Sequence, residues 1–114
     1  MKDPILREPR IVRIALAQML VEGGCKASNL ERAEMCIAAA TAKGAEIVVL
    51  PEALNLGWTH PSAIAEADAV PGGESCERLR AAARKNRVYV CAGLVERDNS
   101  LVFNSAVLIS PDGA

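Results

Sequence analysis

Aromatic residues are scarce in this 114-residue chain, at 3% of the sequence. Trp58, Tyr89 and Phe103 lie far apart, so they do not predict the stacking platform on which bases of single-stranded nucleic acids bind. Neither sign of charge is in excess, because 13 Lys and Arg face 14 Asp and Glu and leave a formal net charge of -1. We therefore expect no nucleic-acid partner, since phosphate backbones require a basic surface.

Long hydrophobic runs are also missing. No apolar stretch approaches the roughly 18 to 20 residues that span a bilayer, and the chain begins with mixed charges, unlike a signal peptide. We therefore expect a cytoplasmic protein without a membrane partner. The four cysteines contain no Cys-x-x-Cys pair and the single His60 lacks partner ligands, so reduced thiols and no metal site are predicted.

The chain does contain 51% hydrophobic residues, enough for the core of one domain. Apolar, β-branched runs predict strands at residues 11–19, 47–50, 88–95 and 101–109, the first of them buried on both faces. Apolar residues at helical spacing predict one helix after Ala27, with a Ser28–Glu31 capping box and Gly44 past its end, and another around residues 76–83. This order predicts a βαβ unit followed by an antiparallel hairpin.

The two ends of the chain each lead to a prediction about its domain organisation. We expect residues 1–10 to form an N-terminal arm and residues 11–114 to form a portion of a larger domain. Ser110–Gly113 is a strong turn signal, yet only Ala114 follows, so no strand returns from the turn. The interpretation is a truncated domain whose apolar sheet needs further cover, and which self-associates, forms a homo-oligomer or depends on a partner chain.

Glu52 is the leading candidate for a functional residue. It follows a predicted buried parallel strand, at the edge where open α/β sheets place their ligands. With Leu50, Leu54 and Trp58 nearby, we expect a partly desolvated carboxylate that can shuttle a proton near neutral pH. On the residues alone, a solvated loop acid or a charge at a helix start explains Glu52 at least as well.

Several segments together resemble a known family. RIALAQM, GAEIVVLPEALNLGW, VYVCAGLVER and FNSAVLISPDG are similar, in order and spacing, to the N-terminal part of nitrilase-superfamily enzymes, which are carbon-nitrogen hydrolases. Leu50-Pro51-Glu52 is the most specific element, and the similarity covers nearly residues 11–113. The resemblance implies an α/β fold, namely the N-terminal part of a four-layer α-β-β-α sandwich with one sheet and its outer helices.

The resemblance also implies a reaction. Family members hydrolyse non-peptide carbon-nitrogen bonds of small-molecule amides, N-carbamoyl compounds or nitriles with a Glu-Lys-Cys triad, without metal or organic cofactor. Glu52 would be the general base that deprotonates the thiol and later activates water. The lysine and cysteine of the triad would lie beyond Ala114, because none of the four cysteines matches the family's nucleophile motif: Cys25, Cys36, Cys76 and Cys91.

Three further residues match family positions less specifically. Trp58 is a candidate substrate-binding residue near the site entrance, although packing explains it equally. Asn104 is explained as well by capping a strand end or bonding a loop, and Glu96 is better explained by an ion pair with Arg97 or another cation. Two alternatives to an enzyme stay open: a catalytically inactive fragment that acts as an interaction partner of a longer chain, and a small ligand-binding module.

Overall fold

The computed structural model describes residues 8–114, which form a mixed four-stranded sheet with helices. The elements in chain order are β1 (Ile14–Leu16), α1 (Lys26–Ala42), β2 (Ile47–Val49), α2 (Ser62–Ala65), α3 (Glu74–Asn86), β3 (Tyr89–Asp98) and β4 (Leu101–Ile109). The strand order is β1-β2-β3-β4, with β1, β2 and β3 parallel and β4 antiparallel to β3. The predicted α/β class, βαβ unit and hairpin are confirmed.

The N-terminal arm is described only in part. Residues 1–7 of the predicted arm lie outside the described residues, and residues 8–13 have no regular secondary structure. Arg10 forms an ion pair with Glu46, which immediately precedes β2. No helix in the described part of the chain has the length and apolar character needed to cross a membrane.

Helix α1 differs from the prediction at its start. It begins at Lys26 with Cys25 at the N-cap, and no side chain caps it. The predicted Ser28–Glu31 capping box is therefore wrong, because Ser28 lies inside the first turn, where its position relative to the free N–H groups is not that of a cap. Gly44 has a φ of +89°, which confirms the left-handed residue expected after the helix.

The core lies between the helices and one face of the sheet. Apolar side chains three or four positions apart on α1 and α3 pack against alternate residues of the strands, as the periods of helix and strand require. The fully or nearly fully buried members of this cluster include Leu30, Ala33 and Ile37 of α1, Leu79 and Ala83 of α3, and Val48, Val90, Ala92, Leu94 and Ile109 of the sheet.

The opposite side of the sheet is covered at only one end. There the segment after β2 packs in a second cluster over Val95 and Val102, with Ala53, Leu56, Ala63 and Ala67. The other end carries the uncovered sheet face, formed by Ile14 (57% exposed), Leu16 (76%), Tyr89 (43%) and Leu108 (69%). The expectation that the first strand is buried on both faces is wrong, because nothing in residues 8–114 covers this end.

We propose that the uncovered sheet face makes the isolated chain self-associate. Burying one leucine side chain is favourable by about 1.5 to 3 kcal/mol, so Leu16→Glu and Leu108→Glu should each shift the chain towards monomer. Sedimentation velocity at micromolar concentration measures this. Met35→Glu is the matched control, because Met35 is 66% exposed but lies on α1. The proposal would be contradicted if the unsubstituted chain were monomeric, or if all three substitutions changed the sedimentation coefficient equally.

Candidate active site

After β2 ends, the backbone of the following residues stays hydrogen-bonded to β3. The Leu50 N–H donates to the Cys91 carbonyl oxygen (2.8 Å), the Gly93 N–H donates to the Pro51 carbonyl (3.1 Å), and the Leu54 N–H donates to the Gly93 carbonyl (3.0 Å). Glu52 sits between these bonds, so its backbone is fixed on both sides. Ala53 completes the turn with a φ of +47°, a left-handed conformation that costs a residue with a side chain about 1 to 2 kcal/mol.

Gly93 makes this path possible. A Cβ atom added to Gly93 would lie 2.4 Å from the Glu52 Cα and 2.9 Å from the Ala53 nitrogen, closer than real Cβ atoms come to backbone. Neighbouring strand residues point to opposite faces, and Ala92 and Leu94 point towards the helices. The backbone of Glu52 therefore crosses to the face opposite the helices, where its side chain is exposed.

One side chain contacts the Glu52 carboxylate. The Asn104 Nδ2 donates to Glu52 Oε2 at 3.2 Å, across the strands from residue 52 to residue 104. The expected partial desolvation of Glu52 is wrong for the described chain. Leu50 and Leu54 pack into the helix-side core, and Trp58 is itself 47% exposed, so neither type of neighbour shields the carboxylate from water.

Two buried asparagines anchor the loop that carries Glu52. Asn55 is fully buried, and its side chain accepts from the Val95 N–H (2.9 Å) and donates to the Val95 carbonyl (3.1 Å) and the Ser75 hydroxyl (3.2 Å). Asn29, also fully buried, donates to the carbonyls of Asn55 (3.0 Å) and Glu22 (2.8 Å). The sequence analysis assigned neither residue a role, although Asn55 within the apolar run ALNLGW was a signal that could have found one.

The other two candidates, Trp58 and Glu96, are not hydrogen-bonded to Glu52 in the described part of the chain. Trp58 follows Gly57 in the loop. Within residues 8–114, the side chain that donates a hydrogen bond to the Glu52 carboxylate belongs to Asn104 of β4 and not to a loop residue. Glu96 accepts from the Ser105 hydroxyl (2.5 Å), while Arg97 donates to the carbonyl of Ile64. The described residues therefore do not show the predicted ion pair of Glu96 with Arg97 or another cation.

Within residues 8–114, no lysine or cysteine side chain is hydrogen-bonded to Glu52. The Lys26 Nζ is held by Asp68 (3.1 Å) and the Glu66 carbonyl (2.7 Å). Cys76 is 3% exposed, and burial raises the pKa of its thiol above the ordinary value. Among residues 8–114 no His, Cys, Asp or Glu side chains form a group of three or more that could hold a metal ion.

Comparison with known proteins gives one consistent result at the level of sequence. A model of the carbon-nitrogen hydrolase family matches residues 13–114. The chain is 35% identical over 106 residues to a nitrilase of Pyrococcus abyssi, covering 90% of this chain and 40% of the relative. It is 37% identical over 102 residues to the omega-amidase NIT2 of Xenopus tropicalis, covering 89% of this chain and 36% of the relative.

Solved structures agree on the fold. An amidase from Nesterenkonia sp. superposes with a TM-score of 0.79 at 24% identity, over 90% of this chain and 39% of the amidase. A CN-hydrolase superfamily protein from Xanthomonas campestris, solved with an arsenic adduct in its active site, gives 0.80 at 25% identity over 90% and 38%. The described sheet and helices therefore correspond to the N-terminal part of the nitrilase fold, and this chain spans about two fifths of these proteins' length.

The close approach at Gly93 predicts a large cost for its substitution. Gly93→Ala should lower the free energy of unfolding by about 3 kcal/mol, because both clashing atoms belong to the backbone and cannot rotate away. Gly72→Ala is the matched control: Gly72 has a φ of +105° but no neighbour within 4 Å of an added Cβ, so backbone strain alone costs about 1 to 2 kcal/mol. Denaturant unfolding measures both, and equal losses would show that Glu52 does not cross at Gly93.

The cysteines should differ in alkylation rate. Cys25 is exposed, whereas Cys76 is buried with a raised thiol pKa and therefore has less reactive thiolate at a given pH. With iodoacetamide at neutral pH, peptide mass spectrometry should find Cys25 modified at least roughly tenfold faster than Cys76. At higher pH, the difference between the two alkylation rates should become smaller as the Cys76 thiol ionises. Faster modification of Cys76 in the folded chain would contradict the described packing of α3.

Proposed function

The chain belongs to the carbon-nitrogen hydrolase family, and from this premise we propose that it carries the general base of an amidase-type hydrolase. The observation that carries the proposal is the placement of Glu52. Its carboxylate stands at the carboxyl end of β2, on a backbone fixed by Gly93 and Asn55, with one oxygen held by Asn104. A base with a fixed position and access to a second reactant suits proton transfer.

In this reaction Glu52 takes the proton of a cysteine thiol, and the thiolate attacks the substrate carbon. A lysine stabilises the negative charge of the tetrahedral intermediate; the amine then leaves with a proton, and Glu52 activates water to release the acid from the thioester. We propose that the lysine and cysteine come from polypeptide outside the described residues. In support, an amidase from Nesterenkonia sp. AN1 was solved with acrylamide added to its active-site cysteine.

The substrate class we propose is a small-molecule amide, with N-carbamoyl compounds and nitriles as alternatives. Several relatives are named omega-amidases and several solved neighbours are amidases, whereas one relative is named a nitrilase. We propose Trp58 as a substrate-binding residue, because its half-exposed ring belongs to the loop that carries Glu52. The cytoplasm remains the compartment we propose.

A second candidate function is that of an inactive interaction partner. The uncovered sheet face favours it, as does the absence of a lysine or cysteine bonded to Glu52 in residues 8–114. Under this proposal the chain contributes structure to an assembly and performs no chemistry alone.

The isolated 114-residue chain should release no ammonia from amides, nor hydrolyse carbamoyl compounds or nitriles above background. The reason is that a base without a nucleophile and an oxyanion donor leaves the main terms of the barrier in place. A coupled ammonia assay with small-molecule amides such as butyramide measures this. Turnover by the purified chain, removed by Glu52→Gln, would show that its own residues complete the site.

Activity requires a completed enzyme, which can be made by replacing the matching segment of the Pyrococcus abyssi nitrilase with residues 13–114 of this chain. There Glu52→Gln should lower kcat by roughly 10²- to 10⁴-fold while folding is retained, because the amide keeps the shape but cannot accept a proton. Glu31→Gln, an exposed substitution on α1, is the control. Equal activity of the two variants would remove Glu52 from the catalytic site.

A further inference from the structure

The geometry points to Asn104 as the positioning residue of the general base, an inference that rests on the proposed function of Glu52. Asn104 holds one carboxylate oxygen of Glu52 and leaves the other free to receive a proton. The sequence alone gave Asn104 a structural explanation, as a cap of a strand end or a bond to a loop. Its position in the middle of β4 argues against the strand-end cap, and the loop residue that its side chain bonds is Glu52 itself.

Asn104 lies in the middle of β4, paired with Val95 of β3. It is therefore not at a strand end, and its backbone belongs to the ladder, so only its side chain is available for another task. Gly93 pairs with Ala106, two residues further along β4, and residues two apart on a strand point to the same face. Asn104 and the crossing backbone of Glu52 are consequently diagonal neighbours on the face opposite the helices.

The small residues around this contact give the two side chains room to meet. Gly93 has no side chain, and Ala106 has only a methyl group on the same face. A longer residue at either position would stand between β4 and the Glu52 carboxylate. The pair is thus specified by the strand register, because a shift of β4 by one residue would turn Asn104 to the helix side.

The chemistry of the contact fixes its direction. A carboxylate only accepts hydrogen bonds, so the Asn104 amide must present Nδ2 and not its oxygen. The bond goes to Oε2 at 3.2 Å, and within residues 8–114 no donor reaches Oε1. Hydrogen bonds to a charged group are stronger than neutral ones, so the carboxylate form that a general base needs is also the better acceptor for Asn104.

Stability does not explain the pair. Both side chains are exposed, so water competes for the same hydrogen bonds and the net gain in folding free energy is small. The bond instead biases the rotation of a long side chain whose backbone is already fixed at Gly93, since even a small net gain favours one side-chain rotamer over its alternatives. Asn104 therefore acts on the direction of the Glu52 carboxylate, not on the stability of the sheet.

The test is NMR on the labelled 114-residue chain with Leu16→Glu, the substitution that is expected to shift it towards monomer. We expect contacts between the Asn104 side-chain amide protons and the Glu52 γ protons, and Asn104 amide signals that move with pH as Glu52 titrates. Glu52→Gln should remove that pH-dependent movement. The Asn99 amide, which donates to Asp98 at 3.0 Å, is the internal control and should keep its own movement. Asn104→Ala should replace the single Glu52 rotamer by averaged couplings, and Asn99→Ala should not.

Two NMR results would overturn the inference: Asn104 amide signals that do not respond to Glu52→Gln, or a Glu52 rotamer that stays fixed in Asn104→Ala. The measurement needs no turnover, so it is separate from the proposed function, which fails if Glu52→Gln and Glu31→Gln are equally active in the completed enzyme. In an active completed enzyme, Asn104→Ala should lower kcat about tenfold with KM nearly unchanged, since Asn104 touches the base and not the substrate. An unchanged kcat would leave Asn104 as a surface contact and would also overturn the positioning role.

Discussion

The lack of a side chain at Gly93 is the constraint on which the rest of the molecule depends. The chain can leave β2 and cross β3 only because the Glu52 backbone fits where a Cβ would otherwise lie, 2.4 Å from its Cα. The crossing places the Glu52 backbone on the face opposite the helices. There the loop builds the second apolar cluster over Val95, and Asn55 bonds both backbone groups of that residue in place of a strand neighbour.

This crossing divides the sheet into surfaces of different character. The face towards α1 and α3 is dry, and every large residue along the middle of β3 on that side is buried. The opposite face is buried only beneath the loop. Beyond the loop, this face is the uncovered sheet face. Glu52 lies between these two regions. The proposed catalytic residue is therefore at the boundary between the part of this face that residues 8–114 cover and the part that they leave exposed.

The parts of the fold that are encoded locally could be predicted from the sequence. The β4 bounds, the hairpin turn and Gly44 after α1 follow from patterns a few residues long. Apart from the local Ser28–Glu31 capping box, the predictions that failed depend on contacts between distant parts of the chain. The run from residue 11 to 19 is apolar enough for a fully buried strand, yet only Ile14–Leu16 pair, because burial requires a second layer. The Glu52–Asn104 bond joins residues 52 positions apart and follows from strand register, which composition and periodicity do not specify.

Glu52 and the uncovered sheet face are exposed for the same reason, namely that residues 8–114 do not cover this side of the sheet. A carboxylate in water is a weak base for a thiol, and it becomes effective when water is excluded and its partner is held close. The apolar face nearby supplies a favourable free energy for covering this same region, since each buried leucine contributes about 1.5 to 3 kcal/mol. In the proposed enzyme, the polypeptide that covers Leu16 and Leu108 would also exclude water around Glu52. Assembly of the second layer and activation of the base would then be a single event, driven by hydrophobic burial and directed by the hydrogen bond from Asn104.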